Sequence, residues 1–244
     1  MTTGGSDHYE RARQVRGLIA RESGPRVGSV ALLRRVCRAA SRELAASGVG
    51  VTVMADLGVR GISAASDPAT ELLEELQFVL GEGPCVDAFA ERRPVLTPEL
   101  AGRAMKRWPA YGPAAYDAGV RAVFAFPLQI GAARLGVMDV FRREPGSLTG
   151  EQFGTAFVFA DMTVEALLDR QEGAGDRGDA GELDTAFPHR SQLFQAQGMV
   201  MVQLGISIGE ALVRLRAYAY AENRRLDEVA RDIVNRTLCF DRDQ

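Results

Sequence analysis

The spacing of apolar residues divides the first two thirds of the chain into helices and strands. Steps of three and four predict helices over about 8–22, 26–47, 67–80 and 149–171. Shorter runs rich in valine and phenylalanine predict strands at Gly50–Ala55, Gly58–Ser63, Val120–Ile130 and Arg134–Phe141, the last two forming a hairpin across Gly131. The order of these elements predicts an α+β fold, in which helices pack on an antiparallel sheet.

Helical spacing returns near the end of the sequence and predicts three further helices. They run over about 189–204, from Ser207 and from Leu226. Gly205 follows the first of them, as glycine commonly does at a helix C-terminus. Ser207-Ile-Gly-Glu210 has the spacing of a capping box at the start of the second. Amphipathic helices joined by short loops predict an all-α three-helix bundle.

A glycine-rich and charged segment separates these two regions. Residues 172–187 hold four glycines at 173, 175, 178 and 181 and few large apolar residues, so they are predicted to be a linker. The domain organisation that we predict is a tail and helix over 1–25, a domain over 26–171, the linker over 172–187 and a helical domain over 188–240.

Composition narrows the class of protein without naming a function. The chain has 244 residues, a formal net charge of −3 and three cysteines, which argues against a disulfide scaffold and against a strongly basic nucleic-acid binder. It shows no signal peptide and no apolar run of about 18 residues, so a cytoplasmic location is expected. It also lacks the common catalytic motifs, which predicts that the protein is not an enzyme. We expect no cofactor and no metal site.

The predicted helix over 149–171 carries an apolar stripe. Its members follow steps of three and four: Phe153, Ala156, Phe157, Ala160, Val164, Leu167 and Leu168. Such a stripe either packs on the sheet of its own domain or, together with the N-terminal helix, builds a homodimer bundle. Both interpretations remain open at this point.

Several strings in the first domain occur together in one family and in the same order. They are Leu80–Ala90, Arg107-Trp-Pro, Ala118–Leu128 and Leu135–Asp139. In this arrangement the chain resembles the GAF sensor domains of actinobacterial regulators. The resemblance implies a six-stranded antiparallel sheet, a role in sensing or dimerisation, and an input, either a small molecule or a protein, that the sequence does not identify.

Candidate residues for a sensor pocket in this domain are Cys85, Trp108 and Tyr111. Cys85 follows Gly83-Pro84 at a predicted helix start, where the helix dipole would lower the pKa of a thiol. The alternative is that Cys85 is a small buried residue in a tight turn. Glu71, Glu74 and Glu75 are predicted to lie on a solvated helix surface.

The second helix of the C-terminal domain leaves a stripe of small and basic residues outside its apolar face. The stripe contains Arg214, Ala217, Tyr218 and Ala221. Small residues permit a backbone to approach closely, arginine binds phosphate, and tyrosine stacks on an unpaired base. A docking face for another helix would have a similar composition.

A second resemblance covers about residues 188–240. Ala196-Gln-Gly198, Glu210–Ala219, Asn223–Leu226 and Glu228-Val-Ala230 are similar to the ANTAR domain of transcription-antitermination regulators. The resemblance implies binding to RNA stem-loops in nascent transcripts, and many members have lysine where this chain has Gln197. The RNA-binding residues that we predict are Gln195, Gln197, Gly198, Arg214, Ala217, Tyr218, Ala221 and Arg225.

Two other functions remain open for the C-terminal domain. A three-helix unit can bind duplex DNA as a helix-turn-helix protein, although Asp227, Glu228 and Asp232 make the outer face of the third helix acidic. Alternatively, both domains serve only protein interaction and assembly. The favoured prediction is a cytoplasmic, homodimeric regulator that senses a signal and promotes transcription antitermination.

Overall fold

A computed structural model describes residues 3–24, 29–55, 58–173, 188–222 and 224–241. The chain divides into two compact units, residues 1–176 and 177–244. Most of the predicted linker, residues 174–187, lies outside the described residues. Each unit is therefore treated by itself.

The first unit contains seven helices and five strands among its described residues. In chain order they are α1 (Thr3–Arg21), α2 (Ser29–Glu43), β1 (Gly48–Ala55), β2 (Gly58–Ala65), α3 (Pro68–Leu80), α4 (Pro84–Glu91), β3 (Val95–Thr97), α5 (Arg103–Arg107), α6 (Tyr111–Asp117), β4 (Ala122–Ile130), β5 (Ala133–Arg142) and α7 (Gly150–Gly173). The α+β fold predicted from the sequence is confirmed.

The strands form one antiparallel sheet in the order β2-β1-β5-β4-β3. The predicted hairpin across Gly131 joins β4 to β5, and Gly131 has the positive φ of 53° that such a tight turn favours. The GAF resemblance implied six strands, whereas the described residues form five. Between β3 and β4 the chain instead makes the two short helices α5 and α6.

The two faces of the sheet are covered by different helices. Because side chains alternate along a strand, Phe124 and Phe126 of β4 enter one core with α1, α2 and α7, while Val123 and Ala125 enter a second core with helices α3 to α6. Asp139 of β5 is buried between Met138 and Val140, which belong to the first core, so its side chain points to the second.

The apolar stripe of α7 packs mainly inside its own domain. Six of its seven members belong to the first core or pack against it, and the seventh, Phe157, is 37% exposed. Phe153 and Phe157 contact the ring of Phe126 on the sheet with centroid distances of 6.0 and 5.5 Å. The interpretation that the stripe packs on its own sheet therefore accounts for these contacts.

The second unit is the predicted bundle of three helices. They are α8 (Pro188–Leu204), α9 (Ile208–Ala221) and α10 (Leu226–Val234). Gly205 follows α8 with a φ of 68°. The capping box is present, because Glu210 N donates to Ser207 Oγ at 3.3 Å and Ser207 N donates to Glu210 Oε2 at 2.8 Å.

The core of this bundle takes residues from all three helices. Its buried members are Leu193, Ala196, Val200, Ala211, Leu212, Leu215, Ala219, Leu226, Val229, Ala230 and Ile233. In the part of the chain that is described, no single helix is long and apolar enough to cross a membrane. Only α8 and α9 taken together, bent by 104° at their junction, meet that test of length and composition.

Candidate nucleic-acid interface and sensor core

The outward face of α9 combines small, basic and apolar side chains. Arg214, Ala217 and Ala221 are exposed there, as the sequence predicts, and so are Val213 and Tyr220. The opposite face of the helix supplies the core residues Ala211, Leu212, Leu215 and Ala219. With that core filled, the exposed face is left over from the packing of the bundle and is accessible within this unit.

Two tyrosines on α9 differ in how far their rings are exposed. Tyr218 is partly buried, and its ring meets the ring of Phe240 edge-on at a centroid distance of 5.3 Å. Tyr220 is 81% exposed. Stacking on a base requires an open ring face, so Tyr220 fits that role better than Tyr218 does. Sequence reasoning missed Tyr220 because it lies at the edge of the stripe drawn through Arg214 and Tyr218.

Gln197 does not lie on the surface. Its side chain is only 5% exposed, and Nε2 donates to the carbonyl oxygen of Ile208 at 2.6 Å. A carbonyl oxygen at the start of a helix can accept a second hydrogen bond besides the helical one, and here the Gln197 amide ties α8 to the first residue of α9. The prediction that the Gln197 side chain contacts RNA is therefore wrong. Gln195 is exposed and Gly198 is partly exposed.

Arginines of this unit differ in how they are held. Arg224 is bound to Asp232 at 2.6 Å, and this hydrogen bond raises the pKa of Arg224. Burial lowers the pKa of Arg216 to about 10. Arg225 is exposed and contacts Asp227 at 3.0 Å. Asp227, the partner of Arg225, is 17% exposed and also lies 3.9 Å from Arg231.

In the first unit, the predicted sensor residues Cys85, Trp108 and Tyr111 all lie in the second core. Trp108 Nε1 donates to Asp87 Oδ2 at 3.0 Å, and its ring meets that of Tyr111 edge-on at 6.2 Å. Burial raises the pKa of the Cys85 thiol well above its ordinary value. The helix start at Pro84 does not overcome that effect, so the expectation of a lowered thiol pKa is wrong.

A group of buried polar side chains accompanies these residues. Glu74 Oε2 accepts a hydrogen bond from Thr52 Oγ1 at 2.5 Å, and Asp139 Oδ2 accepts one from Gln77 Nε2 at 2.9 Å. The side-chain oxygen of Gln77 in turn accepts from the backbone N–H of Cys85 at 2.8 Å. Burial raises the pKa of Asp139 to about 6. These contacts link α3, the start of α4 and two strands.

Glu74 corrects a prediction made from the sequence. The helical pattern places it on a solvated surface beside Glu71 and Glu75, yet it is 1% exposed. The feature of the sequence that explains the burial of Glu74 lies outside α3, because Gly50 on β1 leaves the space that Glu74 fills. A Cβ atom at Gly50 would come within 2.5 Å of Glu74 Oε1. A glycine in a strand often marks such a close approach.

Comparisons with known proteins agree with this architecture. A family model described as "GAF domain" matches residues 29–166, and one described as "ANTAR domain" matches residues 181–234. No curated protein matches the chain.

Two solved structures are similar to the first unit. The GAF domain of an Acinetobacter phosphoenolpyruvate-protein phosphotransferase has a TM-score of 0.53 and 9% identity, with 69% of this chain and 98% of that chain covered. The corresponding domain from Coxiella burnetii has a TM-score of 0.51 and 15% identity, with 70% and 99% covered. At such identities the likeness establishes the fold alone.

An α+β sensor-type domain followed by a three-helix domain defines a two-domain regulator. The GAF match covers more than half of the chain, so the protein belongs to the GAF family, and the ANTAR domain follows it in a GAF–ANTAR arrangement. GAF domains sense signals and ANTAR domains are RNA-binding antitermination modules, both regulatory rather than catalytic types.

Proposed function

We propose that this protein binds RNA stem-loops through the exposed face of α9 and promotes transcription through a terminator in response to a signal sensed by its first domain. The observation that carries the proposal is the face formed by Arg214, Ala217, Tyr220 and Ala221, outside a bundle whose core is complete. Arginine contributes charge, the two alanines permit close approach and the tyrosine offers a base-stacking ring. A regulator of nascent transcripts acts in the cytoplasm of a bacterium and needs no catalytic group.

Residues of α8 and of the turn before α10 extend this proposed surface. Gln195 and Gly198 are accessible on α8, and Arg225 is exposed next to α10. An exposed amide side chain can bond to a base edge, and a glycine lets a sugar-phosphate backbone approach. Gln197 then has a structural role, because its amide holds α8 against the start of α9 and does not contact RNA itself.

The experiment that tests the proposal begins with the full-length protein and a pool of RNA hairpins with randomised loops. A recovered hairpin then serves as the probe for Arg214→Ala, with Arg231→Ala on α10 as the matched control. We expect Arg214→Ala to weaken binding and to reduce the salt slope by about one, since one phosphate contact is lost. Arg231→Ala should bind like the wild type.

Two results would contradict the proposal. One is recovery of no hairpin above the level given by the protein with its α9 face altered in Arg214→Glu. The other is tighter binding of duplex DNA with the same stem sequence, which would favour the helix-turn-helix alternative. Failure to recover a hairpin would favour the protein-assembly alternative, whereas equal hairpin binding by Arg214→Ala and wild type would remove only Arg214 from the interface.

The homodimer predicted through the N-terminal helix and the helix over 149–171 stays a prediction. Six of the seven stripe residues on α7 pack in the core of their own unit, so a dimer would use the outer surfaces of these helices, where Tyr9 and the seventh stripe residue, Phe157, are exposed. Light scattering on wild type and on Phe157→Glu tests it. A wild type that is monomeric at micromolar concentration would contradict the prediction.

A further inference from the structure

Three side chains with metal-ligating atoms meet in the second core of the first unit. The carboxylate of Glu74, the thiol of Cys85 and the carboxylate of Asp139 place one ligand atom each within 4.8 Å of the other two, and all three residues are buried. They come from α3, α4 and β5, which are separate in sequence. We propose that they form a binding site for one divalent transition-metal ion.

The donor set determines the class of metal. A thiolate with two carboxylates suits Zn²⁺, Co²⁺ or Fe²⁺ and disfavours Ca²⁺ and Mg²⁺, which take oxygen ligands. A tetrahedral site with bonds of about 2.0–2.3 Å holds its ligand atoms roughly 3.3–3.8 Å apart. The three ligand atoms lie within 4.8 Å of one another, so shifts of about 1–1.5 Å would bring them to that spacing. Cys85 binds as the thiolate, so its Sγ–H proton passes to solvent as the metal–sulfur bond forms.

A second observation, independent of the acidic pair, points into the same place. The Tyr111 hydroxyl is fully buried and finds no hydrogen-bond partner among the described residues, and the same is true of Asp139 Oδ1. Tyr111 and Cys85 belong to the same core, and after burial the charges of Asp139, Glu74 and Cys85 also raise the pKa of Tyr111. Buried polar atoms are seldom left unpaired, and a bound ion with its water gives both atoms a partner.

Charge balance favours a cation rather than a neutral ligand. None of the described arginine or lysine residues is among the buried residues, so a bound cation would supply the positive charge that lets these buried groups ionise. Thr52 and Gln77 hold one oxygen of each carboxyl group in place. Outer partners of this kind orient metal ligands in many sites.

Three protein ligands leave a fourth position open, towards which the Tyr111 hydroxyl can donate a hydrogen bond. The metal ion, or a small molecule that coordinates it there, would be the signal for the sensor domain. That regulatory meaning rests on the proposed function. Binding of the metal itself is tested without RNA, so that the failure of one proposal can be told apart from the failure of the other.

The experiment uses the full chain, freed of metal with a chelator and titrated with Co²⁺. Cys239 is exposed, so Cys239→Ser serves as the parent protein and removes a competing thiol. We expect a thiolate-to-cobalt charge-transfer band at one equivalent. Cys85→Ser should abolish the band. Cys37→Ser, which removes the buried cysteine of the other core, should retain it. Glu74→Gln and Asp139→Asn should each weaken Co²⁺ affinity at least tenfold.

Readouts that need no variant keep the proposal open to refutation. Zn²⁺ should displace Co²⁺ and raise the thermal midpoint of the parent protein, because a ligand that binds the folded state stabilises it. Absence of a charge-transfer band in the folded parent protein would overturn the site. A band that persists in Cys85→Ser, or disappears in a well-folded Cys37→Ser, would overturn the assignment of its ligands.

Discussion

The two domains differ in where their candidate functional side chains lie, which is inside the core of the GAF domain and on the surface of the ANTAR domain. In the GAF domain, Glu74 and Asp139 lie inside a core, held by Thr52 and Gln77. In the ANTAR domain, the buried side chains that the structure describes are apolar apart from Gln197 and the partly buried Arg216, and most of the residues proposed for binding lie outside this core. Burial makes the first set sensitive to anything that changes its charge, while exposure lets the second set reach a large partner. The difference separates a site suited to a small ion from a surface suited to a macromolecule.

The largest expected effect comes from the small core of the ANTAR domain. Leu215 is fully buried in α9, and Leu215→Ala should lower the free energy of unfolding by about 2–5 kcal/mol. Val213, two residues away and 62% exposed, is the matched control, and Val213→Ala should change it by less than about 0.5 kcal/mol. Hydrogen exchange of the amides of α8 to α10 in the full chain measures both. Similar effects of the two changes would contradict the inward and outward assignment of α9.

The sequence was sufficient for the long helices, for β1, β2 and the β4–β5 hairpin, and for the three-helix bundle, but not for β3, α5 and α6. Local periodicity specifies which face of a helix is apolar, so α9 and α10 could be predicted, including the capping box at Ser207. It does not specify which neighbour a polar residue meets across a sheet. Glu74 therefore seemed solvated, although Gly50 on a distant strand provides its space. The three proposed metal ligands come from three elements, and no local motif announces them.

The accessible face of α9 also depended on details that the sequence did not supply. Tyr218 and Tyr220 have the same side chain, and only the contact of Phe240 with Tyr218 shows which of the two rings is covered. Gln197 has the surroundings of a surface residue in the sequence, yet its amide has a buried partner at Ile208. One difference comes from the segment after α10 and the other from a contact between α8 and α9, and the pattern of a single helix indicates neither.

The second expected effect tests the exposed tyrosine. Tyr220→Ala should weaken binding of the selected hairpin by about 1–3 kcal/mol, because one base loses its stacking partner. Tyr9, which is 69% exposed on α1, is the matched control, and Tyr9→Ala should leave binding unchanged. Filter binding or fluorescence anisotropy at one fixed salt concentration gives both values. A loss for Tyr218→Ala but none for Tyr220→Ala would reverse the roles given to the two rings.

A smaller effect on stability is expected from the residue that caps α3 in the GAF domain. Asp67 caps α3, where its Oδ1 accepts from Thr70 N at 3.0 Å and its Oδ2 from Thr70 Oγ1 at 2.7 Å. Burial alone would raise the pKa of Asp67, but hydrogen bonds from Ser66 and Thr70 outweigh it and lower that pKa. We expect Asp67→Ala to cost about 1 kcal/mol of unfolding free energy at neutral pH.

The sign of the pH dependence follows from the lowered pKa. The ionised cap is favoured in the folded state, so its contribution is present above the ordinary aspartate pKa of about 3.9 and is lost as the pH falls through the lower folded value. Denaturant unfolding at neutral pH and in acid should therefore show the difference between wild type and Asp67→Ala shrinking in acid. Asp67→Asn keeps a hydrogen-bond acceptor that does not titrate. The difference in unfolding free energy between Asp67→Asn and Asp67→Ala should therefore stay the same from neutral pH into acid. A difference that grows in acid would contradict the assignment.

The smallest expected effect comes from one residue, Gly198, at which a single substitution should raise stability and weaken RNA binding. Gly198 lies within α8, and a Cβ atom placed on it would meet nothing within 4 Å, so Gly198→Ala should stabilise the helix by about 0.5–1 kcal/mol. Gly17 in α1 has the same open surroundings, and Gly17→Ala should give a similar gain. If RNA approaches the backbone of α8, only Gly198→Ala weakens hairpin binding, in spite of the more stable fold. Equal binding by both variants would remove Gly198 from the proposed surface and confine RNA contact to α9 and its neighbours.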